Sequence, residues 1–139
     1  MRKWLVLGAA AAVLYAGSQH GALATAAAGL GGGVPHGTLS CSGLERLWEK
    51  AGGAPSAAHM AASIAMAESG GQQDPPSNAG MNSNGMTDVG YWQINSGFHP
   101  SLATADPIGN AKAAIQLSND GQDWSPWVTY TTGAYQGKC

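Results

Sequence analysis

Apolar and polar positions follow different patterns in successive parts of the chain. Behind Met1-Arg2-Lys3 comes an unbroken apolar run, Trp4 to Ala16. It falls short of the about 20 apolar residues that span a bilayer, and Ala22-Leu23-Ala24 then supplies an A-x-A cleavage pattern. These features predict a signal peptide over 1–24, with an uncleaved membrane anchor as the alternative. From Gly17 to Thr38 the residues are small or polar with little to pack, so 25–40 reads as a Gly/Ala-rich linker. The folded domain is expected over 41–139.

Helical periodicity begins there. Ser42-Gly43-Leu44-Glu45 has the form of a capping box, opening a helix through about Ala51. Leu44, Leu47 and Trp48 fall on one face, and Gly52-Gly53 is the stop. Pro55 marks the first turn of a second helix ending near Ser69, with Met60, Ile64 and Ala67 in one stripe and Glu68 beside it. Gly70 to Gly85 is a long Gly/Pro/Asn/Ser loop with an Asn84-Gly85 turn signal. Asp88 to Asn95 reads as a short strand, the second arm of a hairpin turned at Asn84-Gly85. Asp106-Pro107 opens a third helix through about Asn119, and Ser125-Pro126 opens a short last one containing Trp127 and Val128. The fold class is α+β, mostly helical, with a small β segment.

Composition narrows the function. A chain of 139 residues has room for one domain. Arg2 and Lys3 lie in the leader, which leaves four basic residues against eight acidic. With no basic stripe, nucleic acid is excluded as a partner. No phosphate-cradling glycine motif and no His/Cys cluster at metal spacing occurs, so neither a cofactor nor a metal is expected. Cys41 and Cys139 bracket the domain. After export to an oxidising compartment they would form one bridge, contributing about 4 kcal/mol in the chain-entropy model; two free thiols are the alternative. The expected location is periplasmic, cell-wall or extracellular.

Candidate chemistry lies between Ile64 and Ser96. Glu68 ends an apolar helix, where the dipole and apolar neighbours disfavour its ionised form and raise its pKa, as a general acid requires. Asp88 precedes an aromatic segment and reads either as a second catalytic carboxylate or as a turn-capping residue. Gln93 and Asn95 would show their amides on one strand face, suited to sugar hydroxyl and N-acetyl groups. Tyr91 and Trp92 read as stacking platforms for sugar rings or as core.

These residues resemble the lysozyme-like superfamily, in particular the soluble lytic transglycosylases with an SLT domain. The family's Glu-Ser motif matches Glu68-Ser69, and its Gly-Leu-Met-Gln-Ile motif matches Gly90-Tyr91-Trp92-Gln93-Ile94 with two aromatic substitutions. Small pilus- and secretion-associated members carry the Asn-Ser-Asn-Gly loop and the aspartate, as in Asn82 to Gly85 and Asp88. Animal-type lysozymes share the run from Met86 to Ser96. Phage tail and actinobacterial wall proteins end in a pattern like Trp124 to Tyr135. The resemblance covers about Gly43 to Tyr135 and implies a lysozyme-like fold with a small β segment beside the cleft. It implies a monomeric enzyme acting on peptidoglycan glycan strands, in a secretion, pilus, phage tail or wall-remodelling setting. Glu68 would be the acid/base, Ser69, Gln93, Asn95, Tyr91 and Trp92 would contact substrate, and Tyr135 would orient Glu68. Gln136 stands where the family pattern has Asn after that tyrosine. Asp88 leaves two mechanisms open: transglycosylation by one glutamate, or hydrolysis by two carboxylates. An inactive wall-binding or assembly protein is the rival from another class.

Overall fold

The computed structural model describes residues 32–75 and 86–139, and one compact unit runs from Val34 to Cys139. The leader expected over 1–24 and the Asn84-Gly85 turn lie outside the described residues. Among those described, helix α1 spans Cys41–Lys50, a 3₁₀ turn spans Pro55–Ala57, and α2 spans Ala58–Ser69. Strands β1 (Asp88–Val89) and β2 (Ile94–Asn95) follow, then α3 (Pro107–Leu117) and α4 (Val128–Thr131). The result is mostly helical with one small antiparallel sheet, as expected.

Several local expectations shift. The cap of α1 is Ser40, whose hydroxyl accepts from the Gly43 N–H at 3.3 Å. Glu45 is therefore not part of a capping box; it meets His59 of α2 at 3.1 Å. Asp88 to Asn95 is not one strand but a complete hairpin, pairing Asp88 with Asn95 and Val89 with Ile94. Its turn needs left-handed backbone at Gly90 (φ 75°) and Gln93 (φ 50°). A Cβ at Gly90 would also collide with the Asn110 amide. Asp106 caps α3 as expected, accepting from the Gly109 N–H at 2.8 Å. The helix stops at Leu117 because Asn119 and Asp120 turn left-handed. In α4 the capping position is Trp127 rather than Ser125.

Residues 34–40 differ from the free linker expected over 25–40. The Leu39 N–H donates to Gly71 O at 2.8 Å, Gly37 N–H to the Gln73 side chain at 2.9 Å, and the Tyr91 hydroxyl to Gly37 O at 2.7 Å. Burial pushes the Tyr91 pKa up to about 12, so this hydroxyl stays a donor across the physiological range. The backbone of this segment has found partners, which is why it lies against the domain. The Cys41–Cys139 disulfide joins the start of α1 to the last residue, with Cα atoms 5.7 Å apart.

Small residues let α2 sit in the middle. Ala58, Ala61, Ala62 and Ala65 are buried with Ile64, so α1 approaches closely on one side. Five aromatic rings then run through the core in sequence: Tyr91, Trp92, Trp48, Trp124 and Trp127, with neighbouring centroids 5.2–6.2 Å apart. Each indole N–H of these four core tryptophans meets a main-chain carbonyl: Trp48 to Ala54, Trp92 to Ala61, Trp124 to Gly121 and Trp127 to Trp92. Large apolar rings are thus enclosed with no orphaned donor.

Asn110 completes the arrangement from α3. Fully buried, it accepts from the Trp92 backbone N–H at 3.0 Å and donates to Val89 O and Thr104 O at 2.9 and 3.0 Å. Sequence periodicity offered no sign of it, because a buried Asn on a helix face carries no pattern of its own. Asn110→Ala strands three backbone groups at once and should destabilise the fold by roughly 3 kcal/mol or more. Urea unfolding measured against the parent chain checks this.

Candidate active site

The last turn of α2, the β hairpin and α4 enclose a cleft of about 340 Å³. Glu68, Asp88, Gln93 and Asn95 line it together with an apolar set that includes Ile94, Phe98, Leu117, Trp127 and Val128. Two of these apolar side chains stand well out into solvent, Phe98 at 75% and Val128 at 71% exposure.

Glu68 reaches the cleft because α2 ends directly behind it, at left-handed Gly70 (φ 64°). Its Oε1 accepts from the Thr129 hydroxyl at 2.6 Å, and this is a short, charge-assisted contact when Glu68 is ionised. Burial raises the Glu68 pKa above the ordinary carboxylate value. The Thr129 hydroxyl, and more weakly the Thr129 backbone N–H, pull it back down, while the negative charge of Asp88 adds to the rise. The balance is upward, so a proton is held longer than a surface glutamate would hold it.

Asp88 sits on β1 opposite Asn95 on β2, and its Oδ1 accepts from the Asn95 side-chain amide at 2.8 Å. The other end of that amide accepts from the backbone N–H groups of Gly97 and Phe98, at 2.9 and 3.2 Å. Asn95 therefore fixes both the carboxylate and the loop that presents Phe98. The Gln93 amide nitrogen donates to Gly90 O at 2.7 Å, across the hairpin turn.

The remaining residues named from the sequence lie elsewhere. Tyr91 and Trp92 are both 0% exposed, so neither has a face open to a sugar; both belong to the core. The Ser69 hydroxyl is buried and donates to Ala65 O at 3.0 Å, one turn back in its own helix. Tyr135 stacks on Tyr130, with centroids 5.2 Å apart, and does not line the cleft. The hydroxyl that meets Glu68 belongs instead to Thr129, although the Tyr135 N–H does support that residue by donating to Thr129 O at 3.2 Å. Thr129 and the apolar rim, Phe98 and Val128, are what sequence reasoning missed. A threonine 61 positions from its partner has no spacing signal. Among the described residues no group of three His, Cys, Asp or Glu could hold a metal ion.

A half-buried carboxyl with a raised pKa, one hydroxyl partner and one carboxylate neighbour is placed to give a proton and take it back. Carboxyl carbon NMR titration should place Glu68 above the ordinary glutamate value. Thr129→Val, which removes a bond to the ionised form, should raise its pKa further, and Asp88→Asn should lower it. A stability consequence has a definite sign. Because the folded pKa is raised, the Glu68 contribution is full below its unfolded pKa and is lost as pH rises through the folded one. Glu68→Gln should therefore raise Tm at pH 7, with the difference shrinking toward about pH 4, where the unfolded chain also holds its proton.

A family model described as a lysozyme-like domain matches residues 45–129, more than half of the chain and a span that contains Glu68, Asp88, Gln93, Asn95 and Thr129. No curated protein and no solved structure gives a significant match. With the helical architecture, the two-stranded sheet beside the cleft and the glutamate at the end of α2, this match assigns the chain to the lysozyme-like domain family.

Proposed function

We propose that the protein is a lytic transglycosylase that cleaves the β-1,4 bond between N-acetylmuramic acid and N-acetylglucosamine in peptidoglycan, with Glu68 as its single acid/base. The observation that carries this reading is Glu68 itself: an enclosed carboxyl with a raised pKa, held by Thr129 in an open cleft. In the first step protonated Glu68 gives its proton to the bridging oxygen, and the bond from that oxygen to C1 of the muramic acid breaks. Positive charge develops at C1 and its ring oxygen. In the second step the ionised Glu68 accepts the proton of the sugar's own 6-hydroxyl, whose oxygen closes on C1. The product is a 1,6-anhydro ring, no water is consumed, and Glu68 ends protonated as it began.

Asp88 supports a second reading, hydrolysis by two carboxylates. It lines the same cleft, and its charge acts on Glu68. In that scheme Asp88 stabilises or attacks C1, and water replaces the 6-hydroxyl. The amide that Asn95 gives to Asp88 serves the first reading equally, by fixing Asp88 as a structural member of the hairpin.

Export fits the Cys41–Cys139 bridge, since such bonds persist in oxidising compartments. Among the described residues no helix is long and apolar enough to cross a membrane. A secretion, pilus, phage tail or wall-remodelling setting suits an enzyme that opens the glycan mesh, and a chain of this size would act as a monomer.

Mass spectrometry of peptidoglycan digested with the purified chain, beside a Glu68→Gln control, decides between the readings. Anhydro-muramyl ends that vanish in the control are expected. Reducing muramic acid ends instead would make the protein a hydrolase with Asp88 in the chemistry. A folded sample that releases nothing from several wall types would make it a binding or assembly protein.

A further inference from the structure

Successive residues of α4 enter different surroundings. Val128 lines the cleft, Thr129 reaches Glu68, and Tyr130 lines a second pocket of about 360 Å³. The two pockets share no lining residue. We propose that the second is a saccharide-binding site, taking one or two pyranose rings of the same kind of glycan that the cleft cuts; it rests on the glycan reading above.

The chemistry of the walls points to a neutral sugar. A pyranose ring offers an apolar face of C–H groups and a rim of hydroxyls, so its site needs an aromatic surface beside a few fixed polar groups. Tyr130 supplies the surface. The residue is 37% exposed, yet its ring is held in place by stacking on Tyr135 at an interplanar angle of 24°. Asp120, Gln122 and Ser56 supply the polar rim, and Trp124 lies among the lining residues. The Asp120 carboxylate is already oriented, since its Oδ1 accepts from the Ala54 N–H at 2.8 Å.

The pocket is also built in advance. Asn119, Asp120 and Gly121 are three consecutive residues with left-handed backbone, at φ 50°, 55° and 79°. Only the last is a glycine; Asn and Asp are the side-chain-bearing residues that enter this conformation most readily. Here the Asp120 N–H donates to Ile115 O at 2.8 Å and the Gly121 N–H to Ser118 Oγ at 2.9 Å. Gly121 packs so close to Ala57 that no Cβ would fit. A rigid loop therefore presents Asp120 and Gln122 beside a rigid ring, which cuts the ordering cost of binding. A polymer engaged at two points would stay on the enzyme longer than one held in the cleft alone.

Two indole N–H groups report the sites separately, Trp127 for the cleft and Trp124 for the second pocket. The test is ¹⁵N NMR of the full chain carrying Glu68→Gln, titrated with a tetrasaccharide of N-acetylglucosamine. Both indole signals are expected to move. Adding Tyr130→Ala, or separately the exposed-site change Gln122→Ala, should abolish the Trp124 response and leave the Trp127 response in place. Movement of Trp127 alone would overturn the second site while leaving the cleft reading intact. A Trp124 response that survives both substitutions would also overturn it, because the shift would then be relayed from the neighbouring Trp127 ring. If neither indole moves, the second site and the glycan reading of the cleft both fail.

Discussion

Trp92 brings three polar groups into a place that water does not reach, and each must find a partner there. Its indole N–H takes the Ala61 carbonyl of α2, its backbone N–H takes the Asn110 side chain of α3, and its backbone carbonyl takes the Trp127 indole N–H. Left unpaired, each would cost about 1–3 kcal/mol. That requirement fixes α2, α3 and the approach to α4 relative to one hairpin residue. The bonds are individually modest, but they converge on one residue, through its side chain and both of its main-chain groups, so none can shift without straining another.

The position of Glu68 follows from that hub. Helix α2 is tied to Trp92 through Ala61, two turns before the glutamate, and Trp127 sits immediately ahead of the short helix that holds Thr129. The carboxyl and the hydroxyl that meets it are thus carried by elements anchored to the same residue. On the other wall, Asp88 is set by its cross-strand partner Asn95, in a hairpin closed by the Gly90 turn against Asn110. The acid is enclosed by a framework that does not depend on its charge, which lets burial raise its pKa without moving it.

Much of this was legible from local signals. Asp106-Pro107 announced α3, Gly70 ended α2 at the predicted place, and Glu68 stood out because a carboxylate at a helix C-terminus runs against the dipole. Tyr91 and Trp92 were harder to place, since an aromatic pair suits a sugar platform and a core equally well until its burial is known. The turn inside Asp88 to Asn95 went unread and the segment looked like one strand, because the need for glycine at Gly90 comes from its close approach to Asn110, a contact that the sequence does not show. Thr129 and Asn110 were invisible for a common reason. Each acts through one side-chain contact across the fold, and no periodicity or spacing in the chain encodes such a contact.

The central claim is that the enclosed Glu68 delivers the proton that breaks the glycan. The pH dependence of peptidoglycan solubilisation, set beside the NMR titration of the Glu68 carboxyl in the same protein, tests it most directly. The account predicts a rate that falls as pH rises, with a midpoint above the ordinary carboxylate range that coincides with the midpoint of Glu68 ionisation in the presence of glycan. A rate that stays level while Glu68 loses its proton would contradict it.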